Sequence, residues 1–116
     1  MTAMSSSVQV RVCAVRDVPA GEGIRIERPE LPEPIAVFND GGRLFALSDM
    51  CSHADASLAD GEVTDCQVEC PMHFARFDLV TGRPRSLPAL LPVRTYEVTV
   101  HDGDVHVTLP EGGAKP

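Results

Sequence analysis

Hydrophobic and polar residues alternate along several short stretches of this chain. The period is two, the repeat of a half-buried strand, rather than the 3.6 of a helix. VQVRVC (8–13) and IRIER (24–28) alternate in this way. IAVFN (35–39) and RLFAL (43–47) flank Asp40-Gly41-Gly42, a hairpin signal. Over residues 93–100, Val93, Tyr96, Val98 and Val100 fall near one face. His101-Asp102-Gly103-Asp104 then turns into VHVTL (105–109), and Asp102-Gly103 is a strong short-range hairpin cue. No long segment carries apolar residues at helical spacing, and ten prolines and nine glycines punctuate the strands. Many short strands with frequent turns predict an all-β chain, an antiparallel β-sandwich or small barrel.

The segment 50–92 breaks this pattern. It holds three of the four cysteines, two of the four histidines and four prolines. It reads as loops and short strands inserted between two halves of a β fold. A long loop-rich insertion in a small domain is usually functional, or is tied down by something other than a core. The expected organisation is one domain over 1–116, with a smaller lobe at about 49–92 and loose tails at 1–7 and 111–116.

Composition narrows the function. The 116 residues include four Phe, one Tyr and no Trp, so Val and Leu must fill most of the core. The net charge of −7 argues against non-specific nucleic-acid binding, which needs Lys and Arg to displace phosphate counterions. No run reaches the roughly 18 apolar residues of a membrane span. The start, MTAMSSSV, has neither the basic nor the apolar region of a secretory signal. A cytoplasmic location is therefore expected, where thiols stay reduced and cysteines bind metal or sit free rather than pair.

The chemistry lies in MCSHADASLADGEVTDCQVECPMH (50–73). Cys51 and His53 form C-x-H, Cys70 and His73 form C-x-x-H, and sixteen residues separate the pairs. Zinc fingers usually group like with like, but here each pair is mixed. Each short loop offers one sulfur and one nitrogen to a point between the loops. A single tetrahedral ion would accept that set. So would a two-iron cluster in which one iron takes both sulfurs and the other both nitrogens.

This spacing, with Pro71 after the second Cys, resembles the Rieske [2Fe–2S] signature. The likeness extends through RLFALSDMCSHADASL, ARFDLVTGRP and LPALLPVRTYEVTVHDGDVHVTLPE, roughly residues 8–111. Within that superfamily the chain most resembles the small ferredoxins of bacterial aromatic-ring dioxygenase systems, of the phenylpropionate/cinnamate, biphenyl and naphthalene type. The resemblance implies a Rieske fold, a β-sandwich base with a smaller inserted cluster-binding lobe. It implies one [2Fe–2S] cluster, with Cys51 and Cys70 on one iron and His53 and His73 on the other. Backbone N–H groups of residues 51–56 and 70–75 would face the sulfides, and Pro88 would shield the cluster from a third loop. Phe74 stands where many Rieske proteins have Gly, which bears on local backbone angles rather than on ligation.

The function so implied is one-electron transfer, from an NADH-linked flavoprotein reductase to the terminal oxygenase. The carrier would be a monomer that catalyses nothing alone. The chain has no G-x-G-x-x-G and no room for a mononuclear-iron catalytic domain. The alternatives are the small Rieske subunit of a nitrite-reductase-like or other redox complex, and a structural zinc domain. Ala56 and Met72 stand where high-potential Rieske proteins carry a bracing disulfide. Ala75 and Phe77 stand where they carry Ser and Tyr hydroxyls. Both differences imply a low potential and no disulfide.

The remaining candidates have simpler readings. Cys66 would be a fifth ligand; placed four residues before Cys70 on a strand, it reads as a small hydrophobe facing the same side. Cys13 reads as core, and His101 and His106 as solvent-facing. Asp55, Asp60, Glu62, Asp65 and Glu69 form an acidic face, for solvation or for docking.

Overall fold

In the computed structural model, residues 8–50, 57–71, 75–85 and 92–109 are described. Among these residues, nine strands form two antiparallel sheets. They are β1 (Val8–Ala14), β2 (Gly23–Ile26), β3 (Ile35–Asp40), β4 (Arg43–Ser48), β5 (Glu62–Thr64), β6 (Gln67–Glu69), β7 (Arg76–Asp78), β8 (Thr95–His101) and β9 (Asp104–Leu109). Six build the base, in the order β1-β9-β8-β4-β3-β2, and the lobe sheet is β5-β6-β7. The lobe strands thus fall between β4 and β8 in sequence, where the insertion was expected. Both sequence-read hairpins form. Gly41 and Gly42 (φ 64° and 100°) join β3 to β4, and Asp102 and Gly103 (φ 52° and 78°) join β8 to β9. Positive φ at both loop residues is what a tight two-residue turn between twisted strands requires.

The base sheet curls into a sandwich. Val12, Val105 and Val107 of β1 and β9 share one buried cluster with Ile26, Ile35, Val37 and Ala46 of β2, β3 and β4. The two edge strands approach each other, and Arg28, just past β2, stitches the seam. Its guanidinium donates to the carbonyls of Arg11 and Val12 at 2.7 Å each. Those carbonyls lie where the β1–β9 register shifts between Arg11 and Cys13, so the arginine satisfies acceptors next to the irregularity.

β3 is buried over Ile35–Phe38 and divides its side chains between two cores. Ile35 and Val37 enter the base cluster. Ala36 and Phe38 enter a second cluster with Leu47, Leu58, Val63, Val68, Phe77 and Leu79, which is the core of the lobe. Period-two alternation makes this possible: one face of the strand serves each core.

Three sequence expectations need correction. Val93 precedes β8 and packs in the lobe core, whereas Tyr96 and Val98 pack on the base. Val100 shares their side of β8 but lies close to the hairpin turn, past the core, and is 51% exposed. His106 is half-buried rather than solvent-facing, because β9 lies between β1 and β8 with Arg11 and Thr99 as its register neighbours. Its Nδ1 is buried and finds no hydrogen-bond partner among the described residues. Cys66 is not on a strand: with Asp65 (φ 53°) it forms the β5–β6 turn, at φ 61°. Its side chain does pack against the lobe core, as a small hydrophobe would, and Cys13 is buried in the base.

Candidate metal centre

Of the four expected ligands, Cys70 is described. Cys51, His53 and His73 lie outside the described residues, as do Ala56, Met72, Phe74, Pro88 and the tails. Among the described residues no group of three or more His, Cys, Asp or Glu side chains could hold a metal ion. The described residues form the framework on either side of each loop.

The first loop springs from the end of β4. Met50 and Ser57 form an antiparallel bridge across it, and the Leu58 N–H donates to the Asp49 carbonyl at 2.7 Å. The Asp49 side chain is the hub of this junction, with the residue 2% exposed. The Ser57 hydroxyl lies 2.9 Å and 2.7 Å from its two oxygens, and the Ala59 N–H donates to Oδ1 at 2.9 Å. Arg25 Nε, from β2, lies 3.5 Å from Oδ2. A buried carboxylate needs such partners, and charge-assisted hydrogen bonds are the stronger kind. Asp49, Ser57 and Arg25 were not singled out from the sequence. An Asp two residues before a ligand and a Ser just after its loop was the available signal, but their contact is tertiary.

The second loop connects β6 to β7. Cys70 is fully buried, and its N–H donates to the Ala75 carbonyl at 2.7 Å, closing the loop at its base. Cys70 is not in a disulfide. Its surroundings are the lobe core, including Ala75 and Phe77, both fully buried.

The third segment, 86–91, is framed by the turn after β7. Phe77 bridges Pro84, and the Arg85 N–H donates to the Arg76 carbonyl at 2.6 Å. Asp78 Oδ1 accepts from the N–H groups of Val80 and Thr81 at 2.8 Å and 3.0 Å. The Thr81 amide foremost holds the Asp78 carboxyl below its usual range. On the far side of the segment, Val93 returns to Gly82.

The flanks of all three segments meet in one place. Leu58, Cys70, Ala75 and Val93 belong to a single hydrophobic cluster. Cys66 also packs against this cluster, but at the other end of β6. Cys70 follows one end of β6 and Cys66 precedes the other, about 13 Å apart at the rise of an extended strand. That is too far for both sulfurs to reach one small centre. Burial also pushes the Cys66 thiol above its usual range.

The profile of the Rieske [2Fe-2S] domain matches residues 8–97. The chain belongs to the Rieske family. Among its Rieske relatives is the 3-phenylpropionate/cinnamic acid dioxygenase ferredoxin subunit of Escherichia coli strain K12. It is 45% identical over 89% of this chain and 95% of that protein. The solved Sphingomonas yanoikuyae B1 ferredoxin superposes with a TM-score of 0.83 at 34% identity, over 89% of this chain and all of that one. A structure described as a complex of reduced oxygenase and oxidized ferredoxin in carbazole 1,9a-dioxygenase gives a TM-score of 0.80 at 35% identity. That match covers 93% of this chain and 95% of that one.

The described residues fit a cluster of the Rieske kind. A soft sulfur donor sits buried and unbridged at the base of one loop, and a rigid hydrogen-bonded clamp closes the other. Of the acidic residues singled out above, Asp55 lies outside the described residues, and Asp60, Glu62, Asp65 and Glu69 line hollows on the lobe. Glu62, Asp65 and Glu69 line a shallow cleft of about 270 Å³ with Thr64, Gln67 and Arg76. Glu62 and Glu69 are direct cross-strand neighbours, an arrangement that costs stability between like charges. Asp60 joins Glu62 and Glu69 around a second hollow that reaches Pro71, the residue after Cys70.

Proposed function

We propose that this protein is a one-electron carrier, a ferredoxin of an aromatic-ring dioxygenase system, and that Cys51, His53, Cys70 and His73 hold one Rieske [2Fe–2S] cluster. The observation that carries this reading is the convergence of the three loop bases on one core beside the buried Cys70. Convergence of that kind can bring a C-x-H loop and a C-x-x-H loop to one centre. Cys51 and Cys70 would bind one iron, and His53 and His73 the other. Bound there, the cluster supplies one-electron redox chemistry. Thiolates favour ferric iron, and two neutral imidazoles in place of thiolates raise the potential relative to an all-cysteine cluster.

The protein's own residues do the rest. Residues of about 49–92 form the cluster lobe, whose core packs on Ala36, Phe38 and Leu47 of the base. The partners are a flavoprotein reductase that supplies electrons and a terminal oxygenase that receives them; the second is supported by the related ferredoxin solved with an oxygenase. The carrier works alone between them in the cytoplasm and has no catalytic step of its own. Among the described residues no helix is long and apolar enough to cross a membrane. The acidic outer face of the lobe, close to Pro71, suits brief contact with basic surfaces on those partners.

The test is direct. The purified protein should be coloured, contain iron and acid-labile sulfide, and give a low-average-g EPR signal after reduction with dithionite. A colourless protein holding zinc and no sulfide would replace this reading with a structural zinc domain.

A further inference from the structure

A buried polar group here can serve the strands. Asn39, for example, ties Val18 and Gly42 to the base, at 2.8 Å each. Asp49 differs, because nearly every contact it makes brackets the first loop. Its carbonyl accepts from Leu58 and its carboxylate from Ser57 and Ala59, all three just beyond residues 51–56. Asp49 itself stands just before that segment, and its own N–H is fixed on the Pro34 carbonyl at 3.0 Å. The side chain therefore adds three hydrogen bonds to the backbone contacts that join the two flanks of this segment. Arg25 reaches the carboxylate from β2, so the anchor is referred to the far edge of the base sheet.

We infer that Asp49 is a positioning residue for the cluster: its carboxylate clamps the first ligand loop and so sets where Cys51 and His53 stand. The inference rests on the proposed cluster. Removing the carboxylate leaves the Ser57 hydroxyl and the Ala59 N–H without that acceptor, so only the backbone contacts of Met50 with Ser57 and of Asp49 with Leu58 still join the two ends, while Arg25 keeps Glu27. Residues that orient metal ligands typically change metal affinity 10- to 100-fold when removed. Asn at this position is a partial substitute. Its oxygen can still accept from Ala59, and its amide can donate to the Ser57 hydroxyl, but the pairing with Arg25 is lost.

The experiment compares Asp49→Ala, Asp49→Asn, Ser57→Ala and Asn39→Ala with the wild type, as whole holoproteins well below their unfolding temperatures. Iron loss to a chelator should be about tenfold faster in Asp49→Ala, with a changed spread of EPR g values. Asp49→Asn should restore near-wild-type iron retention while raising the reduction potential, since a negative charge has gone. Asn39→Ala should lose stability with iron loss and g values unchanged. If Asp49→Ala does not fold, Ser57→Ala decides, with an intermediate rise in iron loss expected. Folded Asp49→Ala, or failing that Ser57→Ala, with wild-type iron loss and g values would overturn the clamp. A wild type that holds no iron–sulfur cluster would instead overturn the proposed function.

Discussion

Val93 folds back onto Gly82: its N–H donates to the Gly82 carbonyl at 2.8 Å, and a methyl group built on Gly82 would lie 2.1 Å from the Val93 carbonyl oxygen. Gly82 also has φ 75°, where an L side chain is strained by about 1–2 kcal/mol. The two residues close the frame of segment 86–91. Gly82→Ala should cost more than about 2 kcal/mol, because strain and a backbone clash act together. Urea unfolding monitored by circular dichroism would measure it, and an unchanged midpoint would refute the argument.

Replacement of any one of Cys51, His53, Cys70 and His73 by Ala should abolish the native visible spectrum. Much stability should go with it, because a bound metal centre contributes its binding energy to the fold. Cys66→Ser should keep the spectrum, since Cys66 lies at the far end of β6. Loss of the cluster in Cys66→Ser but not in Cys70→Ser would reverse the ligand assignment.

Tyr96 gives a pH signature. Its hydroxyl donates to Glu33 at 2.5 Å, and burial first, then Glu33, push its pKa up to about 12. An unfolded tyrosine titrates near 10. The folded state therefore keeps a proton that the unfolded state loses. The contribution of Tyr96 to stability is complete below pH about 10 and falls away as pH rises through about 12. Tyr96→Phe should flatten the fall in melting temperature over that range. An identical fall in both proteins would remove Tyr96 as its cause.

The potential should lie at the low end of the Rieske range, on the order of −150 mV. Hydrogen bonds to the cluster sulfurs favour the more negative reduced state, and Ala75 and Phe77 have no hydroxyl to give. Both are fully buried, so a new hydroxyl at either site must find an acceptor inside the lobe. Protein-film voltammetry on Ala75→Ser and Phe77→Tyr should read a higher potential than on the wild type. A clearly positive wild-type potential would contradict the proposed place between a nicotinamide-linked flavin and an oxygenase.

Docking should depend on charge. The net charge is −7, and Glu62, Asp65 and Glu69 share one cleft on the lobe. The rate of reduction by the partner reductase should fall as salt rises to about 0.15 M, where screening acts within roughly 8 Å. Glu62→Gln should weaken that dependence and add slightly to stability by relieving its repulsion with Glu69. A rate indifferent to salt would leave the acidic face with solubility alone.

The base was legible because its strands are long enough to show a period of two. Its tight turns carry Gly41-Gly42 and Asp102-Gly103, residues that mark a hairpin. The Cys/His motif was legible because ligand chemistry fixes residue type and spacing. The lobe sheet was not, in its details. Its strands are three residues long, too short for a periodic signal, and the Asp65-Cys66 turn takes positive φ without a glycine. The burial of His106 has no local signal, because a polar residue on a central strand is covered by its neighbours whatever its own preference. The Asp49 clamp depends on residues brought together by folding, so no local pattern announces it.

The division of β3 between two cores has a consequence for anyone wishing to move this centre elsewhere. Residues 49–92 look like a removable cassette in the sequence, yet Leu58, Val68 and Phe77 pack against Ala36, Phe38 and Leu47, which lie outside it. A graft cut at residues 49 and 92 would expose an oily underside and lose half of its own core. The smallest portable unit therefore includes the β3–β4 hairpin, Ile35–Ser48, with its other face supplied by a new host.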